Sequence, residues 1–158
     1  MRYLPRYKHC FVCGDENPVG LNIVFETDEK KVYARFRSDE RYLGYQDRIH
    51  GGIVCAVMDE TMGWACSVIT KRFYYTMELT VKFKKPLPPN TTVIVEASMV
   101  DIKHSIAIAK AKLSDEDGNV FAVSSGKYFP VAEREMEAIV KLLHHHPEDG
   151  KPVTLKDI

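Results

Sequence analysis

The residues best suited to chemistry in this chain crowd into one stretch: His50-Gly51-Gly52, followed by Asp59 and Glu60. Between Ile53 and Ile69 only Asp59, Glu60, Thr61 and Ser67 are polar, no proline intervenes, and Gly63 is the only strong helix breaker. The pattern predicts a single helix of about four to five turns. A helix that is apolar nearly all round must be wrapped by other elements. A carboxylate buried there without partners is costly or gives up its charge, so two acids in its middle need a reason, and function is one. The glycine pair lets a ligand approach the backbone closely. The first helical amides are unpaired and carry partial positive charge. A carbonyl oxygen, or the oxyanion it becomes under attack, suits that place. The alternative reading is that the glycines only make a tight entry turn.

Spacing adds a second inference. Asp59 follows Gly51 by eight residues, about 12 Å along one helix. An amide at the helix start and a carboxylate at its middle cannot hold the same small group. If both serve one reaction, they come from different copies of the chain.

A further candidate precedes the helix. His9-Cys10-Phe11-Val12-Cys13-Gly14 contains one Cys-x-x-Cys pair, which is half of a structural zinc site. His9 offers a third ligand and no fourth is evident, since Cys55 and Cys66 fall in the apolar helix. The pair is read as small residues in a packed turn. Metal binding, shared between chains, and redox chemistry are the alternatives, though no thioredoxin-like context surrounds it. His144-His145-His146, at the end of a C-terminal helix, suits the helix dipole. Adjacent residues diverge on a helix, so no metal site is assigned there.

These residues must be positioned by the rest of the chain. Its 158 residues suit one domain, burying about 70% of the unfolded surface. Zero net charge gives no strong pull toward nucleic acid or membrane. No signal-peptide pattern is seen, and no uncharged apolar run reaches the length of a membrane span. Four cysteines with one close pair do not suggest a secreted disulfide scaffold, and a reducing cytoplasm is expected.

Residues 1–20 read as an irregular lead-in punctuated by Pro5, Gly14, Pro18 and Gly20. Leu21 to Glu26 and Lys31 to Arg37 alternate as a hairpin. Residues 38–50 form a polar loop of the kind that shapes sites. After the helix come four strands: Thr76 to Lys85, Thr91 to Ile102, Ser105 to Ser114 and Val120 to Pro130. A tight reversal at Lys103-His104 and the Asp-Gly signal at Asp117-Gly118 separate them. Strands in succession favour an antiparallel meander. Residues 131–146 read as an amphipathic helix with Met136, Ile139, Val140 and Leu143 on one side, and 147–158 as a loose tail. The domain itself is placed at 21–130, with 131–158 a C-terminal helix and tail. One sheet curled around one helix leaves a face uncovered, which again suggests self-association.

With this order in hand, the chain resembles the hotdog-fold acyl-CoA thioesterases, specifically the phenylacetate-type branch. The carriers are His50-Gly51-Gly52 with Asp59 at the ninth position after the histidine, and the strand–strand–helix–strand order. The opening Cys10-Phe11-Val12-Cys13-Gly14 through Asn17-Pro18-Val19-Gly20-Leu21 is also similar. The resemblance covers about residues 10–130. It implies an α+β hotdog fold, with an antiparallel sheet of about six strands wrapped around the long central helix. It implies hydrolysis of acyl-CoA thioesters without a metal or cofactor, by a homodimer or homotetramer with shared sites.

The resemblance also implies roles. The Gly51 N–H polarises the thioester carbonyl. Asp59 of a partner subunit acts as nucleophile or as general base on water. Thr76 orients the water or the carboxylate, and His50 braces the loop. Glu60 faces elsewhere, about 100° round the helix from Asp59. Gly52, Gln46, Glu60 and Trp64 are expected near substrate. Met62, Phe73, Tyr74 and Tyr75 are candidates for an acyl pocket or for core packing. Arg41, Arg48, Lys71, Arg72, Lys84 and Lys85 either meet coenzyme A phosphates or form a solvated face.

Two departures stand out. Relatives place Asn or Gln where this chain has Gly44, which Gln46 or a backbone group would have to replace. Strict alternation puts Thr76 on the polar side of its strand, so it reaches the site only through a twist or bulge. A catalytically silent module that binds acyl-CoA or a related ligand is the alternative function. A dehydratase on the same fold would carry an Asp-x-Asn-Pro-x-His signature, which is not found.

Overall fold

The computed structural model describes residues 1–145 and 153–158. In chain order the elements are β1 (Arg2–Tyr3), β2 (Arg6–Tyr7), β3 (Phe25–Thr27), β4 (Val32–Arg37), a 3-10 turn (Glu40–Tyr42), β5 (Leu43–Tyr45), β6 (Arg48–Ile49) and α1 (Gly51–Thr70). They continue with β7 (Tyr74–Phe83), β8 (Thr92–Lys103), β9 (Ile106–Asp115), β10 (Val120–Pro130), α2 (Glu133–Leu142) and β11 (Leu143–His144).

Helix α1 is the predicted apolar helix, uninterrupted from Gly51 and ended by Lys71 in the left-handed region at φ 57°. It is long and apolar enough to cross a membrane by composition, but it lies across one face of the sheet. Val54, Val57, Met58, Thr61, Met62, Ala65 and Cys66 are buried there. Opposite them stand the inward-facing residues Val93, Val95 and Ala97 of β8 and Ala107, Ala109, Ala111 and Leu113 of β9. The run of alanines on β9 lets the helix approach closely.

The sheet is antiparallel with order β1-β3-β4-β8-β9-β10-β7. It contains the six expected strands, the first shortened from Leu21–Glu26 to Phe25–Thr27, and adds β1. The expected meander holds for β8-β9-β10, but β7 lies beyond β10 at the sheet edge rather than beside β8. The proline-rich link after β7 makes the crossing, anchored where the Ile49 N–H donates to the Leu87 carbonyl at 2.9 Å. The hairpin between β8 and β9 turns on His104 and Ser105, both at positive φ, which matches strand twist.

Three expectations about the ends are corrected. The lead-in contains β1, paired to β3, and β2, paired to β11. It also sends Leu4, Val12, Cys13 and Ile23 into the core, so it covers part of α1 that the sequence left bare. Helix α2 stops at Leu142, because Leu143 and His144 pair with Tyr7 and Arg6 of β2. His144 therefore sits on a strand, with Nε2 3.0 Å from Asp15; His146 lies outside the described residues. The tail reading covers 147–158, of which 147–152 lie outside the described residues. Its end is packed, with Ile158 fully buried and its carbonyl accepting from Lys71 Nζ at 2.5 Å.

Candidate active site

The turn into α1 is made by its own residues. His50 is the N-cap, and its Nδ1 accepts the Gly52 N–H at 2.9 Å. Its backbone N–H donates to the Tyr42 carbonyl at 2.8 Å. A Cβ on Gly52 would stand 2.9 Å from that Nδ1, and one on Gly51 would stand 3.2 Å from the Phe83 ring. A side chain at either position would have to push the His50 or Phe83 ring aside. Ile53 and Val54 donate back to the His50 carbonyl, and His50 takes up the Gly52 N–H. Among the described residues no acceptor holds the Gly51 N–H. It is left as a free donor at the positive end of the helix. It lines a cavity of about 360 Å³ with Arg48, Val54, Phe83, Lys84, Lys85 and Phe121.

Two turns on, Asp59 is held by hydroxyls. Thr76 Oγ1 lies 3.0 Å from both carboxylate oxygens. Tyr128 Oη donates to Asp59 Oδ1 at 3.0 Å and lies 3.1 Å from its backbone carbonyl. Thr76 reaches this place through a bulge. Leu79 pairs with Gly126 and Glu78 with Lys127, but Tyr128 pairs with Thr76, so Met77 has no opposite number. The extra residue turns Thr76 onto the helix-facing side that strict alternation denies it. Burial pushes the Tyr128 phenol above its ordinary range, and the Asp59 charge adds to the rise, so it serves as a neutral donor. A carboxylate offers about four lone-pair sites. The hydroxyls leave capacity for a water or an acyl carbon.

Tyr128 was not anticipated. Its signal is in β10, where Ala122, Ser124, Gly126 and Tyr128 alternate inward. Tyr128 is the only large member, and Gly126 precedes it by two positions. A Cβ at Gly126 would stand 2.7 Å from the tyrosine ring, so the glycine lets the ring fold back toward α1.

Asp59, Thr76 and Tyr128 line a second cavity, of about 260 Å³, with Glu60, Trp64, Phe73 and Tyr74. Trp64 meets Phe73 edge-on with ring centroids 6.4 Å apart. Met62 is instead a fully buried core residue, and Tyr75 is exposed on β7. Gln46 sits exposed at the tip of the β5–β6 ribbon and lines neither cavity. Gly44 packs against His50, where a Cβ would stand 3.1 Å from the His50 Cα. Of the six nominated cations, Arg48, Lys84 and Lys85 edge the Gly51 cavity. Lys71 is tied to Ile158, Arg72 lies beside the Val131 carbonyl, and Arg41 pairs with Asp39.

Glu60 turns away from Asp59 toward the lead-in. Its Oε2 is 3.0 Å from Cys10 Sγ. The Val12 and Cys13 N–H groups also point at that sulfur, at 3.3 and 3.5 Å. Burial, with the Cys10 charge adding, pushes the Glu60 carboxyl up to about 8. Cys13, through its side chain and then its amide, holds the Cys10 thiol down at about 5. His9, the third ligand considered from sequence, is exposed and packs edge-on against Tyr7.

Known proteins bear on this geometry. A model of the thioesterase superfamily matches residues 46–122, which include the His-Gly-Gly turn, Asp59 and Thr76. The human acyl-coenzyme A thioesterase THEM5 is 25% identical over 114 residues, covering 72% of this chain. The match takes in 46% of THEM5, so the chain spans less than half the length of that relative. Among solved structures, the thioesterase superfamily protein RHA08564 matches with a TM-score of 0.71 at 20% identity, over 77% of this chain and 63% of that one. The E. coli PaaI protein from the phenylacetic acid degradation operon matches with a TM-score of 0.65 at 17% identity, over 71% of this chain and 81% of that one. The structural matches carry the architecture, and the family model carries the segment in which His50, Gly51 and Asp59 fall. The chain has the hotdog fold, and its residues 46–122 are similar to the thioesterase superfamily.

Proposed function

We propose that the protein hydrolyses acyl-CoA thioesters, as a homo-oligomer in which two chains complete each site. The observation that carries this is the pairing of an unclaimed amide with an oriented carboxylate in two separate cavities of one chain. The Gly51 N–H faces one and Asp59, gripped by Thr76 and Tyr128, faces the other. The helix between them is unbroken, so about 12 Å separates the two positions along its axis. A second chain set against the first along the β7 edge brings its Asp59 to the first chain's Gly51. That edge is unpaired among the described residues and carries exposed Tyr75, Met77 and Phe83.

In this reading the Gly51 N–H and the α1 dipole bind the thioester oxygen and then the oxyanion. Asp59 attacks the carbonyl carbon or takes a proton from an attacking water. Thr76 and Tyr128 hold its carboxylate in line. Coenzyme A leaves as the thiol, with Arg48, Lys84 and Lys85 meeting its phosphates. The likeness to the acyl-coenzyme A thioesterase THEM5 supports this class of activity, and the motif sequence supports a phenylacetate-type reading. Four free cysteines fit a reducing cytoplasm.

A panel of acyl-CoAs assayed with a free-thiol reagent tests the activity. Mixing Asp59→Ala chains with Gly51→Val chains tests the sharing. Hybrid dimers recover turnover, because one of their two sites keeps both wild-type groups. No recovery despite proven subunit exchange contradicts a shared site. Gly44 favours a second reading, a module that binds acyl-CoA without turnover, since it offers no side chain where relatives place Asn or Gln. Tight acyl-CoA binding with no thiol release across the panel supports that reading.

A further inference from the structure

We propose that Cys10, Cys13 and Glu60 bind one thiophilic divalent cation of the zinc class, clamping the lead-in to the central helix. Their ligand atoms all lie within 4.8 Å of one another. A tetrahedral ion with arms of about 2.3 Å to sulfur and about 2.1 Å to oxygen holds its donors roughly 3.5 to 3.8 Å apart, so small side-chain movements suffice.

Three independent features support a built site. The loop has a ligand-presenting shape. The Val12 and Cys13 amides aim at the Cys10 sulfur, and the Gly14 N–H closes the turn on the Cys10 carbonyl at 3.0 Å. A Cβ at Gly14 would stand 2.4 Å from that carbonyl, so the turn requires glycine. The loop is also braced from behind. Buried Arg6 donates through Nε to the Cys13 carbonyl at 2.9 Å and through its other arm to Asn22. Finally, Glu60 sits in the apolar helix with no cationic partner within 4.0 Å among the described residues. A carboxylate so placed beside two thiols lacks only the positive charge that would satisfy all three.

On binding, each thiol and the Glu60 carboxyl release any proton they hold to water. Water or a ligand takes the fourth position, and no electron transfer is involved. The site lies beside the candidate active site, since Glu60 follows Asp59 and lines the same cavity. It constrains that wall without joining the reaction.

The test uses the full chain, purified without a metal-binding tag. Elemental analysis should find about one zinc per chain. Stripping with a chelator and refilling with cobalt(II) alone should give a thiolate-to-cobalt charge-transfer band and the visible bands of a tetrahedral ion. Cys13→Ser and Cys10→Ser should each weaken the band, and the double variant should lose it. Glu60→Gln, which keeps its shape, should weaken zinc binding about tenfold or more. Cys55→Ser should change nothing. The charge-transfer band reports sulfur, so cobalt on His144 or His145 does not imitate it. Absence of the band in the refilled parent overturns the proposal, as does a band of undiminished strength in Cys13→Ser or any band in the double cysteine variant. If the cysteine variants do not fold, the parent's band and the Glu60→Gln affinity decide the matter.

Discussion

At the start of α1, the cap that frees the amide is made by neighbours in sequence, and distant residues such as Phe83 only wall the cavity. His50 caps Gly52, the glycines leave room for His50 and Phe83, and one amide stays free. Two turns further on, nothing that holds Asp59 is local. Thr76 arrives from 17 residues away and Tyr128 from 69, on two strands that pair with each other at the sheet edge. Under the proposed hydrolysis, the two halves of the site divide the labour. The electrophile's grip can be a property of a helix start, because orphan amides and the macrodipole are there in any sequence that leaves them uncapped. The attacking group's aim cannot be local, because a carboxylate in the middle of a helix has only the helix surface beside it. It needs donors delivered by tertiary structure.

The comparison can be broken at either half. The largest effect is expected from Asp59→Asn, which keeps the shape and loses the base. Turnover should fall by about 10² to 10⁴, while acyl-CoA binding measured by calorimetry persists. Undiminished turnover in this variant removes Asp59 from the chemistry. Next comes Tyr128→Phe, which removes one donor and leaves the ring. A drop of roughly tenfold in kcat with little change in KM is expected, since a hydrogen bond to a charged group is worth about 1.5 to 3 kcal/mol and Thr76 remains. A change in KM alone would mean that the tyrosine shapes the cavity and does not aim the carboxylate. The smallest effect belongs to Lys84→Ala with Lys85→Ala at the other cavity. KM for acyl-CoA should rise a few-fold, and the rise should shrink in high salt because these charges are exposed. A salt-independent change would point to packing of the lysine stems.

Much of this was legible in the residues. The apolar run could only be a core helix, and His50-Gly51-Gly52 with Asp59 marked both chemical poles and the distance between them. The bracing role of His50 was implied by the resemblance, and its observed cap on the Gly52 N–H is a local contact. Thr76 was legible only through the resemblance. Its alternation argues against it, and the bulge at Met77 is decided by how β7 pairs with β10, not by either strand alone. Tyr128 had a faint local sign in Gly126, but nothing in β10 says which residue of α1 it faces. Glu60 was placed near substrate, and it does line the Asp59 cavity. Its meeting with Cys10, 50 residues earlier, depends on the lead-in folding back over α1.

The amino-acid sequence alone determined the helix, its free amide and the separation of that amide from Asp59. Each of these follows from periodicity, sterics and a fixed rise per residue. Only the tertiary structure decided the position of β7 at the sheet edge, the bulge that turns Thr76 inward, the tyrosine behind Asp59 and the thiols beside Glu60. Each of these is a choice of partner between segments distant in the chain. Such choices are settled by the collective packing of strands against α1, which no single stretch encodes.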